Sequence, residues 1–185
     1  MRSTLVMGVL ALTAISVTAF AEPTRTEVVR PSSSPQDDTK ANSDAVPDAY
    51  ALSGQFQRVV VLRLKYETDL LAGIEKMVKK QKIGNAVILS GIGSVRSYHV
   101  HDVSNRTFPS KDVYVKDPAA AADILGMNGY VIGGRVHAHV TLADDKQAFG
   151  GHLEPGTQVF TFAIVTLGIL GDDLDLSRVD DKAYR

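Results

Sequence analysis

The order of apolar and polar residues divides the second half of this chain into short strands and one helix. Val59-Val60-Val61-Leu62 is a nearly continuous apolar run. It predicts a first strand over residues 56–64, buried on both faces. The apolar residues that follow recur at helical spacing, and they are Leu70, Leu71, Ile74, Met77 and Val78. Thr68 or Asp69 can cap the start of this helix.

Further apolar segments with strand character follow the helix, and they cover residues 85–89, 95–103, 113–115, 130–132, 136–142 and 158–167. Ser90-Gly91-Ile92-Gly93-Ser94 predicts a turn between the first two of these segments. The alanine-rich residues 119–125 fit either an edge strand or a single helical turn. Many strands with one clear helix predict an α+β domain, with a mixed, strongly bent sheet packed on that helix.

Two histidines lie on one face of the strand predicted over residues 136–142. His137 and His139 alternate with Val136, Ala138 and Val140, so their imidazoles point the same way, about 7 Å apart along the strand. His152 follows a turn predicted at residues 144–146 and can return to that face. Three imidazoles with an open fourth position are a common arrangement for zinc and similar divalent ions. The alternative interpretation is a solvated polar strand face.

Other polar residues near these histidines are candidates for a supporting role. Glu154 and Asp144, with Asp145, are candidates for proton transfer or for holding the imidazoles, although turn chemistry also accounts for them. His99 and His101 share a face of the strand over 95–103, and we expect them to be surface histidines, with an approach to the three-histidine set as the alternative. No nucleophilic serine motif or phosphate-cradling loop is present in the sequence, so an enzymatic interpretation rests on the metal alone.

Several motifs resemble those of the PPC domain, the plant and prokaryote conserved domain. His137-x-His139-x-x-Leu142-x-Asp144, followed by Gly150-Gly151-His152-Leu153-x-x-Gly156, resembles the core of that domain. Further segments match the family in order, over residues 59–64, 69–71, 85–95, 123–125 and 129–131. The resemblance covers roughly residues 56–180.

The resemblance carries its own expectations. Prokaryotic members of the family use this histidine set as a metal site, which implies His137, His139 and His152 as ligands here. PPC domains resemble trimeric assembly units, so a homotrimer is expected. Plant members join proteins together and accompany AT-hook DNA-binding motifs. This sequence contains no Arg-Gly-Arg-Pro AT-hook.

Composition narrows the function classes further. The 185 residues, 44% of them apolar, suffice for one ordinary domain with extensions. A net charge of −1 argues against a protein whose main task is to grip nucleic-acid phosphates. The absence of cysteine excludes disulfides and thiol catalysis.

The N-terminal residues have the pattern of an export signal. Met1-Arg2 precedes an uncharged, mostly apolar run from Leu5 to Phe20, and Ala19-Phe20-Ala21 fits a small-x-small cleavage site. We therefore expect a signal peptide over 1–21, a disordered polar linker over 22–55 and a PPC-like domain over 56–185. The mature protein should begin at Glu22, without a membrane span, in the periplasm or outside the cell.

These observations lead to one functional expectation with two alternatives. The expected function is that of an exported homotrimer that binds a divalent ion, for which zinc is the first choice, and serves as a small-molecule or protein-binding module. The first alternative is a metal-dependent enzyme acting on a small substrate. DNA binding is the weaker alternative. Because only neutral imidazoles bind metal, affinity should fall as the pH drops through about 6.5.

Overall fold

The computed structural model describes residues 26–27, 43–105 and 109–181. The predicted signal peptide and much of the predicted linker lie outside the described residues, so the boundaries at 21 and 55 stay predictions. The elements are β1 (Thr26–Glu27), β2 (Phe56–Lys65), α1 (Leu70–Lys80), β3 (Ala86–Val103), β4 (Asp112–Asp117), β5 (Ala122–Ile132), β6 (Arg135–Ala143), β7 (Ala148–Leu153) and β8 (Gln158–Leu170). No helix among the described residues is long and apolar enough to span a membrane.

All the strands lie in one sheet of eight, and every pairing between them is antiparallel. The expected mixed sheet is therefore wrong. Short hairpin turns join β5 to β6 and β6 to β7, and such turns can only link antiparallel strands. The helical connection leads from β2 to β3, which do not pair with each other because β8 lies between them. The α+β class and the strong bend are confirmed.

Strand β3 is the centre of the sheet and the source of its bend. It runs for 18 residues and pairs with β4, β5, β7 and β8. Its first half lies between β5 and β8, and its second half lies between β4 and β7. Because β7 returns to β3 after β5 and β6, these four strands close on themselves, and the sheet must curve to allow it.

The turn predicted at residues 90–94 is wrong, because β3 continues through it. The pairing of β3 with β8 shifts register between Ile88 and Ser90 and again between Gly93 and Val95. Gly93 has a φ of 141°, and an added Cβ would lie 2.1 Å from the Phe162 carbonyl oxygen. Glycines inside a strand commonly mark such irregularities and close backbone approaches. The glycines therefore bend the strand without ending it.

Helix α1 covers one face of the sheet, as its spacing predicts. Asp69 caps its start by accepting a hydrogen bond from the Ala72 amide at 2.9 Å. Leu70, Ile74 and Val78 are buried and belong to the hydrophobic core shared with the strands. This face of the sheet is therefore the inner one, and no helix of the described residues lies on the opposite face.

The outer face of the sheet is strongly apolar. Leu62 and Leu64 on β2 point inward, whereas Val59 and Val61 are 58% and 64% exposed. The expected burial of this strand on both faces is therefore wrong for the single chain. Register places further large apolar side chains on the same outer face, and they include Ile92 and Phe162, both exposed.

Candidate metal centre

A hairpin of β6 and β7 brings the three predicted histidines together. The register of the two strands places His139 directly opposite His152. His137 lies two residues earlier on β6, so its side chain leaves from the same face. The turn between the strands is where the sequence predicts it. The local pattern therefore sufficed to predict the cluster.

The three imidazoles have the spacing of metal ligands. One ring nitrogen from each histidine lies within 4.8 Å of the other two. The Nε2 atoms of His137 and His139 are 3.2 Å apart. A tetrahedral zinc ion with bonds of 2.0–2.1 Å separates its nitrogen ligands by about 3.3 Å. His137 and His139 therefore stand at the separation of two ligands of one zinc ion, and a ring nitrogen of His152 lies within 4.8 Å of both.

Asp180 holds His137 in the orientation that coordination requires. Its Oδ1 lies 2.9 Å from His137 Nδ1, and its Oδ2 accepts a hydrogen bond from the Arg135 guanidinium at 2.9 Å. When His137 Nδ1–H donates a hydrogen bond to this carboxylate, the Nε2 lone pair is free to face a metal. No local signal connects Asp180 to a histidine on β6.

A fourth histidine joins the cluster from β3. His101 lies opposite His152 in the β3–β7 pairing, and the two ring centroids are 4.5 Å apart. His101 Nδ1 lies 2.6 Å from Glu154 Oε1. The expectation of a surface histidine is therefore wrong at His101. His99 stands apart, with its Nδ1 2.9 Å from the Pro155 carbonyl oxygen.

The family assignment rests on a match over most of the domain. The family model of the Plants and Prokaryotes Conserved domain, abbreviated PCC or PPC, matches residues 51–171. The chain belongs to the PPC domain family. The sequence motifs that resemble this family are thereby confirmed.

Solved structures with this fold include other members of the PPC family. A metal-containing protein from Archaeoglobus fulgidus shares 26% identity at a TM-score of 0.56, covering 66% of this chain and 87% of that one. A plant- and prokaryote-conserved protein from Pyrococcus horikoshii shares 23% identity at a TM-score of 0.55, covering 67% and 87%. A candidate DNA-binding protein from Bacteroides thetaiotaomicron shares 16% at 0.52, covering 65% and 83%. The last two likenesses show the fold alone.

Curated relatives match this PPC domain over only part of their length. A bifunctional protein GlmU from a Synechococcus strain is 30% identical over 129 residues, which is 68% of this chain and 19% of the relative. A second GlmU from the same genus is 28% identical over 113 residues, or 60% of this chain and 16% of the relative. The chain thus spans less than a fifth of the curated relatives it matches.

The two carboxylates predicted to support the PPC histidines have different positions. Asp144 Oδ1 accepts hydrogen bonds from the amides of Lys146 and Gln147, both at 2.9 Å. Asp144 therefore stabilises the turn, which is the other role that its sequence position predicts. Glu154 instead pairs with His101. Of the two, Glu154 is therefore the carboxylate beside the cluster.

The histidines line an open pocket of about 550 Å³ in the PPC domain. Its lining residues are His101, Asp102, Val103, Asp112, Tyr114, Arg135, His137, His139, His152 and Asp180. Burial, with His101 and His137 close by, lowers the pKa of His152 from 6.5 to about 4. Burial and the neighbouring His137 and His101 also lower the pKa of His139. Both rings are thus held neutral, the form that binds metal.

The lowered pKa of His152 predicts how the stability of the metal-free protein depends on pH. Between about pH 6.5 and 4 the unfolded chain binds a proton at His152 that the folded protein does not. Stability should therefore fall as the pH drops through this window. Thermal melts of chelator-treated protein at several pH values measure it. His152→Ala should flatten the dependence, and an unchanged slope in that variant would contradict the assignment.

Proposed function

We propose that this PPC-domain protein is exported, assembles as a homotrimer and binds a divalent cation, zinc in the first instance, through His137, His139 and His152. Its role is that of a binding module for a small molecule or a protein. His137, His139 and His152 line an open pocket, so an ion held by them would be accessible to a ligand. Metal-dependent turnover of a small substrate is the second candidate function.

The convergence of three imidazoles carries this proposal. One ring nitrogen from each lies within 4.8 Å of the other two, and the Nε2 atoms of His137 and His139 are 3.2 Å apart. Burial lowers the pKa of His139 and of His152, and the repulsion that positively charged imidazoles would exert on one another at these separations lowers it further. The solved relative from Archaeoglobus fulgidus, described as metal-containing, adds support from the same fold.

Elemental analysis together with thermal melts tests the metal proposal. Protein purified from its native compartment should retain at least one zinc or similar divalent ion per chain. Chelator should lower the melting temperature, because an ion that binds only the folded state stabilises it. Protein that holds no stoichiometric metal and melts identically with and without chelator would refute the proposal. The three histidines would then be a polar strand face.

The open pocket is the observation that favours the enzymatic alternative. Catalytic zinc sites keep three protein ligands and one free position, whereas structural sites are closed. An ion on three neutral imidazoles keeps its full charge, lowers the pKa of bound water and polarises carbonyl or phosphoryl oxygens. Turnover of a small ester or phosphoester by the zinc-loaded protein would favour the enzyme. Ligand retention without turnover would favour the binding module.

DNA binding remains the weaker alternative. The similarity to a candidate DNA-binding protein is 16% in identity and concerns the fold. The pocket beside the histidines is lined by Asp102, Asp112 and Asp180, which would repel phosphates. Salt-sensitive retention of the protein on DNA would reverse this ranking.

The homotrimer is proposed mainly from the resemblance to PPC domains, and the exposed apolar side chains on the outer face of the sheet support it. Large exposed apolar patches on soluble proteins mark association surfaces, and here Val59, Val61 and Phe162 share such a face. Light scattering should give about three times the mass of one mature chain at micromolar concentration. Val61→Lys should shift the protein towards smaller species, whereas Lys76→Glu on the exposed side of α1 should not. A monomeric wild type would contradict the proposal.

Export is proposed from the N-terminal pattern alone. N-terminal sequencing of the protein recovered outside the cytoplasm should begin at Glu22. Recovery of a cytoplasmic protein that still starts at Met1 would refute it.

Asp180 offers a separate test of the orientation of His137. Asp180→Ala should weaken zinc binding about 10- to 100-fold, as is typical when the carboxylate partner of a metal-bound histidine is removed. Asp180→Asn keeps an acceptor oxygen at the same place and should have a smaller effect. Zinc titration of both variants measures this. Equal affinity in the wild type and Asp180→Ala would show that the carboxylate does not position the ligand.

A further inference from the structure

Two histidines of the pocket, His101 and His152, form a second set of coordinating groups with Glu154. His101, His152 and Glu154 each place a ligand atom within 4.8 Å of the other two. The set is built from β3, from β7 and from the residue that follows β7, and it does not include His137 or His139. Zinc accepts imidazole nitrogens and carboxylate oxygens together. The second set therefore has the chemistry of a cation position in its own right.

From these contacts we infer a second divalent-cation position, held by His101 and Glu154 and completed by His152, next to the three-histidine site. It rests on the proposed function, because it extends the same pocket. An imidazole has two distinct ring nitrogens, so the His152 ring can contact one ion through each of them. When both nitrogens coordinate, the remaining ring proton passes to water. The second ion consequently binds more weakly than the first.

The partially buried positions of His101 and Glu154 give this set the order that ligands need. Their side chains are only 18% and 21% exposed, and His101 Nδ1 lies 2.6 Å from Glu154 Oε1. The His101 ring also packs on Tyr114, with centroids 5.1 Å apart. A histidine–carboxylate pair exposed on the surface would have neither this burial nor this ring packing. His101 and Glu154 are therefore positioned before any ion arrives, which reduces the entropy lost on binding.

The charge of the pocket also favours a second cation. Asp102, Asp112 and Asp180 line it, and among the described residues Arg135 is the one Lys or Arg side chain in its lining. Glu154 adds a further carboxylate directly behind His101. When the imidazoles are neutral, the negative charge of these carboxylates exceeds the positive charge of Arg135. The difference is larger than the charge of one divalent ion. The excess attracts a second cation and lowers the repulsion between the two ions.

Equilibrium dialysis of the full chain against buffered free zinc separates the two positions. Wild type should take up about two zinc ions per chain in two steps, the second at least about tenfold weaker. His101→Ala and Glu154→Gln should each remove the weaker step and leave the affinity of the tighter one within about threefold. His139→Ala should remove the tighter step and retain the weaker. His152→Ala should remove both steps.

His99→Ala is the matched control, because His99 lies two residues from His101 on the same strand and bonds to the Pro155 carbonyl. It should keep both steps, and circular dichroism should show all variants folded. Glu154→Gln preserves the shape of the side chain, so its result stands if His101→Ala is unstable.

A wild type that binds one ion, lost in His139→Ala and unaffected by His101→Ala, would overturn the second position alone. Loss of the tighter step in His101→Ala would overturn it in favour of one four-imidazole site. Absence of any bound zinc would refute the three-histidine site as well.

Discussion

Replacing His152 with alanine is expected to weaken zinc binding at the three-histidine site by about a hundredfold or more. The change removes one of only three protein donors, and it is the donor that faces both His137 and His139 across the hairpin. At free zinc a thousandfold above the wild-type Kd, binding stabilises the folded state by about 4 kcal/mol. A hundredfold loss of affinity would reduce this gain to about 1.4 kcal/mol. Thermal melts with and without chelator, together with metal analysis, measure both quantities.

His99→Ala is the control for this change as well. It removes an imidazole from the neighbouring strand without touching the three-histidine set, so zinc content and the chelator effect should stay as in wild type. At the three-histidine site, His137→Ala and His139→Ala should weaken zinc binding to a similar extent as His152→Ala. A His152→Ala protein that keeps its ion with unchanged affinity would show that the hairpin histidines do not hold the metal.

Gly129→Ala is expected to destabilise the protein by about 3 kcal/mol or more. Gly129 has a φ of 140°, and an added Cβ would lie 2.1 Å from the His137 carbonyl oxygen. The backbone would have to move on β5 and β6 together, because Gly129 and Ala138 face each other in the sheet. Since Ala138 lies between His137 and His139, the same movement should also weaken zinc binding. Denaturant unfolding of the metal-free protein measures the stability term separately.

Gly126→Ala on the same strand is the matched control. An added Cβ at Gly126 meets nothing within 4 Å. Its stability should stay within about 1 kcal/mol of wild type, because alanine in an open site restricts mainly the unfolded chain. Equal effects at Gly126 and Gly129 would show that strand propensity, and not the close approach to His137, determines the outcome.

The number of ions in the pocket bears on which function the protein has. A single ion on three imidazoles leaves a free position for a ligand or a water molecule. Two ions that share His152 would form a clamp able to hold both ends of a small anion. The affinity of the zinc-loaded protein for small carboxylates and phosphates should therefore differ between wild type and His101→Ala only if the second ion is present.

Several features of this protein follow from its sequence because they depend on neighbours along the chain. The apolar spacing from Leu70 onwards and the cap at Asp69 predict α1, and both are confirmed. Alternation in residues 136–142 and the turn after Asp144 predict the hairpin that gathers His137, His139 and His152. The family resemblance follows from these same motifs. Each of these predictions needs only the local periodicity of one or two elements.

Other features depend on contacts between distant parts of the chain, which local periodicity does not encode. His101 reaches His152 only because β7 returns to pair with the second half of β3. Asp180 reaches His137 from the closing segment, and Glu154 finds His101 across the same pairing. A turn was expected at the glycines 91 and 93, but β3 only bends there. Its pairing with β5 on one side and β8 on the other keeps the chain in the strand through this segment. The sequence alone thus determined the three-histidine hairpin, and the closure of the bent sheet decided which further groups surround it.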